Sequence, residues 1–159
     1  YKVKLRTRAR YSVRLMMTLA RHSRGDKPVG LGIVAEKSGL SRGYLEQLVV
    51  ALRNAHLLRS VSGRKGGYLL ARSPEQIRVG EIVEAASGPI EVTDCVADVD
   101  SCMHAEFCTC RPLWELINLR IIEVLYDYTL ADLLKTDWSQ RVLEQIEQLR
   151  RKIQRPPRR

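Results

Sequence analysis

SRGYLEQLVVALRNA at residues 41–55, followed without a break by HLLRSVSGRKGGYLLA at residues 56–71, decides how the amino-terminal half folds. In the first segment Leu45, Leu48, Val49 and Leu52 recur at helical spacing, with Gly43, Gln47, Val50 and Asn54 on the opposite face. Ser41 stands where a helix cap belongs, because its hydroxyl can accept from one of the unpaired N–H groups of the first turn. Just upstream, Gly39 suits the end of a short helix predicted over Leu31–Lys37. The second segment alternates in polarity, and Gly63, Gly66 and Gly67 mark a bend, which predicts a β-hairpin. A first helix is predicted over Thr7–His22 from Tyr11, Leu15, Met16 and Leu19.

Helix, tight turn, amphipathic helix and basic hairpin together predict a winged helix-turn-helix, so the fold class is mainly α with a small β-hairpin wing. A recognition helix enters the major groove with its amino-terminal residues, here Ser41, Arg42, Gly43, Tyr44, Glu46 and Gln47. Gln47 can bond bidentately to adenine, Arg42 can reach guanine or phosphate, and Glu46 can accept from the cytosine amino group. Arg64 and Lys65 at the hairpin tip suit the neighbouring minor groove. Arg10, Arg14 and Arg21 share one face of the first helix and suit phosphate contacts, which position a protein without reading sequence.

Charge supports the same division. The 159 residues carry a formal net charge of +9, but residues 1–72 hold 16 Lys and Arg against 3 Asp and Glu, while residues 73–159 hold 11 against 15. A basic half that coincides with a DNA-binding motif points to a polyanion partner. The longest uncharged apolar run, LMMTLA at 15–20, is too short for a membrane span or a secretory leader. The expected setting is the cytoplasm with reduced thiols. Nothing resembles a catalytic dyad, a phosphate-cradling loop or a nucleotide fingerprint, so neither an enzyme nor a small-molecule substrate is expected.

The four cysteines, Cys95, Cys102, Cys108 and Cys110, fall within CVADVDSCMHAEFCTC. That segment is too polar to be a core helix using cysteine as a small hydrophobe, so the cluster reads as a metal or redox site. No C-x2-C pair of the zinc-finger kind is present, which favours iron–sulfur over zinc. Residues 73–110 hold one Arg against eight acidic residues, so this segment would resist lying against DNA.

Beyond it, Pro112 and the apolar Leu113, Leu116, Ile117, Ile121, Val124 and Leu125 predict a long helix to about Tyr128. It carries more apolar surface than one helix can leave in water, and pairing with the same helix of a second copy would bury it. Thr129 and Asp132 signal the start of a short helix, TLADLL. Val142, Ile146, Leu149 and Ile153 predict a last packing helix over 138–153, before a basic tail, RPPRR.

Taken in order, GLSRGYLEQL at 39–48, SGRKGGYLLARSP at 62–74, the spaced cysteines, RPLWELIN and TLADLL resemble the IscR and NsrR family of iron–sulfur transcription regulators, the Rrf-two superfamily, over residues 4–134. The resemblance implies a winged-helix repressor or activator that binds an operator as a homodimer and carries a cluster ahead of a dimerisation helix. It implies Cys95, Cys102 and Cys108 as ligands and Tyr44, Glu46 and Gln47 as recognition residues; a 2Fe-2S cluster is expected ahead of 4Fe-4S. Two features depart from the family. Ser62 replaces a wing arginine common among its members, leaving minor-groove contact to Arg64 and Lys65. The family's histidine position for a fourth ligand is Arg111, and its acidic alternative near the first helix is Arg10; neither side chain can coordinate a metal. Cys110 is then the leading fourth ligand, on softness, with His104 the alternative and Glu106 or an external ligand behind.

The expected organisation is a DNA-binding domain over 1–88, a cysteine-rich cluster loop over 89–111, a dimerisation helix and short following helix over 112–134, and a carboxy-terminal helix and basic tail over 135–159. The expected function is a homodimeric regulator whose DNA affinity follows the state of a cluster that senses redox, iron–sulfur status or nitric oxide. One rival reading gives the cysteines to zinc or a thiol–disulfide switch. The other is an iron–sulfur electron-transfer protein without specific DNA binding.

Overall fold

Helix α1 runs over Thr7–His22, the bounds predicted from its apolar period, and turns Leu15, Met16 and Leu19 inward. The structure is a computed structural model that describes residues 6–23, 27–103 and 107–154. α2 spans Leu31–Ser38 and ends at Gly39, whose φ of 68° is the left-handed conformation that closes a helix without steric cost. α3 spans Arg42–Asn54, and the Ser41 hydroxyl accepts from the Tyr44 N–H at 3.3 Å, as the cap reading requires. Its buried residues are Leu45, Leu48, Val49 and Leu52, the four of the predicted stripe.

Strands β1 (Leu58–Val61) and β2 (Gly67–Leu70) pair antiparallel, with Leu58 opposite Leu70 and Val61 opposite Gly67. The bend uses Gly63 at φ 116° and closes through Gly66 N–H to Gly63 O at 2.9 Å. Gly67 does not belong to the bend, as the sequence suggested, but lies on β2. A Cβ there would stand 2.5 Å from the Val29 carbonyl oxygen, so glycine is what lets Val29 pair with Tyr68 in a single bridge beside the two-stranded sheet.

α4 (Val79–Ser87) sends Ile82 into the core, and the Glu81 carboxylate accepts from the Arg78 N–H at 2.8 Å to start it. The cysteine segment, read as a loop, contains a one-turn helix α5 (Asp94–Ala97) and a 3₁₀ turn at Val99–Ser101. α6 runs over Arg111–Asp127 with proline in its first turn. α7 (Leu130–Leu134) is capped reciprocally by Thr129 and Asp132, and Leu130 returns to the winged core against Ile77 and Ile82. The Lys135 ammonium, together with Thr129, holds the Asp132 carboxyl far below its ordinary range.

One core therefore joins α1, α2, α3, both strands, α4 and α7. α6 buries only Asn118 and exposes Leu113, Leu116, Leu119 and Val124 by more than half. α8 (Trp138–Ile153) departs from its expected role as a packing helix: none of its residues is buried, and Leu149 and Ile153 are exposed. It touches the rest of the chain along its first half, where Trp138 meets Tyr128 edge to face at 4.8 Å and the Tyr128 hydroxyl donates to Gln145 Oε1 at 2.7 Å. No helix among the described residues is long and apolar enough to cross a membrane.

Candidate functional site

The amino-terminal end of α3 presents the predicted recognition residues. Ser41, Arg42, Gly43, Glu46 and Gln47 are exposed, because they stand opposite the stripe that packs on α1 and α2. Tyr44 is half-buried, its ring set edge to face against Tyr11 at 6.1 Å, so its ring positions the helix as well as facing outward. Arg42 Nε donates to Glu46 Oε1 at 3.2 Å, one turn apart. Both side chains are more than half exposed, so the pair is weak and an incoming phosphate or base can replace either partner. Arg64 and Lys65 stand exposed at the wing tip, and the concavity between α3 and the wing is lined by Arg42, Glu46, Ser60, Ser62 and Tyr68. On α1, Arg14 is exposed, while Arg10 lies 6.0 Å from the Tyr11 ring centre and borders an apolar hollow of Val13, Val79, Val83 and Leu125.

All four cysteines are free thiols. Cys95 and Cys108 are half-buried, whereas Cys102 and Cys110 are exposed. Cys95 Sγ lies 3.4 Å from the Thr93 hydroxyl. Arg111 joins the two ends of the segment: its Nε donates to the Cys95 carbonyl at 3.1 Å and its own N–H donates to the Cys108 carbonyl at 3.2 Å. The Cys110 carbonyl accepts from Leu113 and Trp114, so this residue forms the start of α6. Asn118 Oδ1 accepts from the Val92 N–H at 3.0 Å and anchors the approach to Cys95. Among the described residues no three potential ligands stand together as a metal site; His104 and Glu106 lie outside them. The donor set suits an iron–sulfur cluster in its chemistry, four thiols on a segment whose Cys95 and Cys108 carbonyls both accept from Arg111, but among the described residues the ligands are not assembled.

A polar chain links the wing to the far end of α6. Arg72, just after β2, donates to Glu81 at 2.6 Å. Glu81 caps α4 through Arg78, whose guanidinium donates to the Tyr126 and Asp127 carbonyls at 3.3 and 3.4 Å, where a helix end favours a cation. Tyr126 donates its hydroxyl to the Glu84 carboxylate, and this bond pushes the phenol up to about 12. Gly80 lies under that ring, with no room for a Cβ. Sequence reasoning missed Arg72, Arg78, Asn118 and Tyr126, and saw in Arg111 only an excluded ligand. One signal was available, since Asn118 is the one amide on α6 and stands between Ile117 and Leu119.

The family described as Rrf2, iron-dependent transcriptional regulator, matches residues 5–136. The HTH-type transcriptional regulator IscR of Sodalis glossinidius is 35% identical over 154 residues, covering 97% of this chain and 90% of that protein. Among solved structures, T. potens IscR is 40% identical with a TM-score of 0.67, covering 83% of this chain and 86% of that one. CymR, the global cysteine regulator of B. subtilis, is 38% identical with a TM-score of 0.68, covering 84% of this chain and 97% of that one. Relatives with different names are thus about equally similar, while a regulatory role and the winged-helix architecture are common ground. The match spans the winged domain, the cysteine segment, α6 and α7, and the chain belongs to the Rrf2 family of transcriptional regulators.

Proposed function

We propose that this regulator binds operator DNA as a homodimer and that an iron–sulfur cluster, held by Cys95, Cys102 and Cys108, sets its affinity. The observation that carries the reading is the placement of four free thiols on the segment that leads into α6, a helix with its apolar face uncovered. A second copy laid against that face would bury Leu113, Leu116, Leu119 and Val124, and ordering of the cysteine segment would then bear on how two α6 helices meet. The α6 end is tied through Arg78, Glu81 and Arg72 to the base of the wing, which gives the dimer geometry a route to the DNA-facing elements. Affinity changes because two recognition helices must meet two half-sites about 34–36 Å apart, or a multiple, at once.

In this reading Gln47, Arg42 and Glu46 contact bases, while Ser41, Tyr44, Arg10 and Arg14 contact or position the backbone. Arg64 and Lys65 enter the minor groove. The cluster, 2Fe-2S, supplies a site whose redox or ligand state changes, with Cys110 as fourth ligand and His104 its alternative. The domain units are 1–88, 89–111, 112–134 and 135–159, and the regulator acts as a repressor in the cytoplasm.

Iron and acid-labile sulfide in anaerobically purified protein test this. Visible absorption should bleach when Cys95, Cys102 or Cys108 is replaced by alanine, and a colourless, zinc-loaded wild type from iron-replete cells would contradict the reading. The exposure of Cys102 and Cys110 supports a second reading, in which the cysteines act as a thiol–disulfide switch. That reading predicts iron-free protein whose DNA affinity follows thiol oxidation.

A further inference from the structure

We infer that Arg111 is a positioning residue for the cluster: a main-chain clamp that fixes the first cysteine relative to the third. The inference rests on the iron–sulfur reading and adds a residue whose side chain cannot be a ligand. Cys95 and Cys108 are separated by twelve intervening residues, and holding such a span closed costs chain entropy in the free protein. Arg111 is the one described residue that hydrogen-bonds to both ends, through Nε to the Cys95 carbonyl and through its N–H to the Cys108 carbonyl. Its position is fixed in turn, because it is the first residue of α6 and the Cys110 carbonyl beside it accepts two helical N–H groups. The bond to Cys95 is charge-assisted, and the side chain is half-buried, so it is sheltered more than a surface contact.

Two consequences follow. With the clamp in place, the main chain at Cys95 and at Cys108 is tied to one residue, so less chain freedom is lost when their thiols and the exposed Cys102 are gathered onto a cluster. The guanidinium, held at the Cys95 carbonyl, would also favour the reduced, more negative state of a cluster bound through Cys95. Arg111→Gln removes charge and clamp together. Arg111→Lys keeps the charge but lacks the Nε–H that meets the Cys95 carbonyl.

The experiment reconstitutes full-length wild type, Arg111→Gln and Arg111→Lys anaerobically. It records cluster loss to an iron chelator, the reduction potential, and the melting temperature of each apo-protein. The clamp predicts about tenfold faster loss in both variants, the weight of one hydrogen bond to a charged group. It predicts a lower potential for Arg111→Gln and a near-native one for Arg111→Lys, with apo-protein melting unchanged. Wild-type cluster lifetime in Arg111→Gln, or full restoration of lifetime by Arg111→Lys, overturns the clamp. So does a lifetime loss matched by a fall in apo-protein melting, which would make Arg111 a residue of the fold alone. A wild type that takes up no iron and sulfide overturns the cluster reading itself, and the clamp with it.

Discussion

Leu48 on α3 and Leu116 on α6 both sit on apolar stripes at helical spacing, yet Leu48 is 0% exposed and Leu116 is 53% exposed. Around Leu48 the stripe is met by α1, α2, β1 and α4, and the core closes within one chain. Around Leu116 the neighbours are Ile117, Ile121 and Val124 of the same helix, and among the described residues no other element joins them in lining that surface. The periodicity that builds a helix is the same in the two regions. What differs is whether the chain supplies the second surface, and a helix apolar beyond its intrachain contacts is the physical mark of an interface.

The largest effect should come from a charge on the uncovered face. Leu116→Glu should leave the monomer folded, because the side chain is already half in water, and should turn the dimer into monomer in sedimentation. Binding to a pseudo-palindromic duplex, selected in vitro from random sequence, should fall by about 100–10,000-fold as the paired half-sites lose their linkage. A dimer that persists would assign the face to something other than a second copy. Leu48→Ala should instead cost about 2–5 kcal/mol of unfolding free energy in denaturant titrations, since a closed core cannot collapse around the lost volume.

A smaller effect distinguishes reading from positioning on α3. Gln47→Ala should weaken the selected duplex by about 1–3 kcal/mol and leave random DNA almost untouched. Equal losses on both would make Gln47 a backbone contact. The smallest effect concerns the tie between α4 and α6. Hydrogen bonding to Glu84 raises the Tyr126 phenol from its ordinary 10 to about 12, so folding favours the protonated form. This contribution is whole below pH 10 and fades as pH rises through about 12, so thermal melts of the wild type should fall across that window by more than those of Tyr126→Phe. Parallel curves would show that the bond does not hold in solution.

The winged half was legible because its signals are local. Ser41 caps a helix through the N–H three residues on, Gly39 ends one, and Thr129 with Asp132 starts one, each within a single turn. Gly67 was misplaced in the bend because its glycine answers to Val29, distant in sequence. The contacts around the cysteine segment escaped for the same reason. Arg111 meets a carbonyl 16 residues back, Asn118 an N–H 26 back, and Arg78 carbonyls 48 and 49 residues ahead. No period or spacing encodes such pairs. α8 was read from its stripe as packing, but a stripe specifies a face and not its partner; among the described residues the chain offers it little beyond Tyr128.

The most direct test is the affinity of one purified preparation for the selected duplex with its cluster intact and after the iron and sulfide are removed anaerobically, at a single salt concentration. The account predicts that affinity differs by tenfold or more between the two forms, about 1.4 kcal/mol or greater, and that Cys102→Ala behaves as the cluster-free form whatever its treatment. Equal affinity in the two forms, with the cluster verified by iron and sulfide analysis, would contradict control of DNA binding by the cysteine segment.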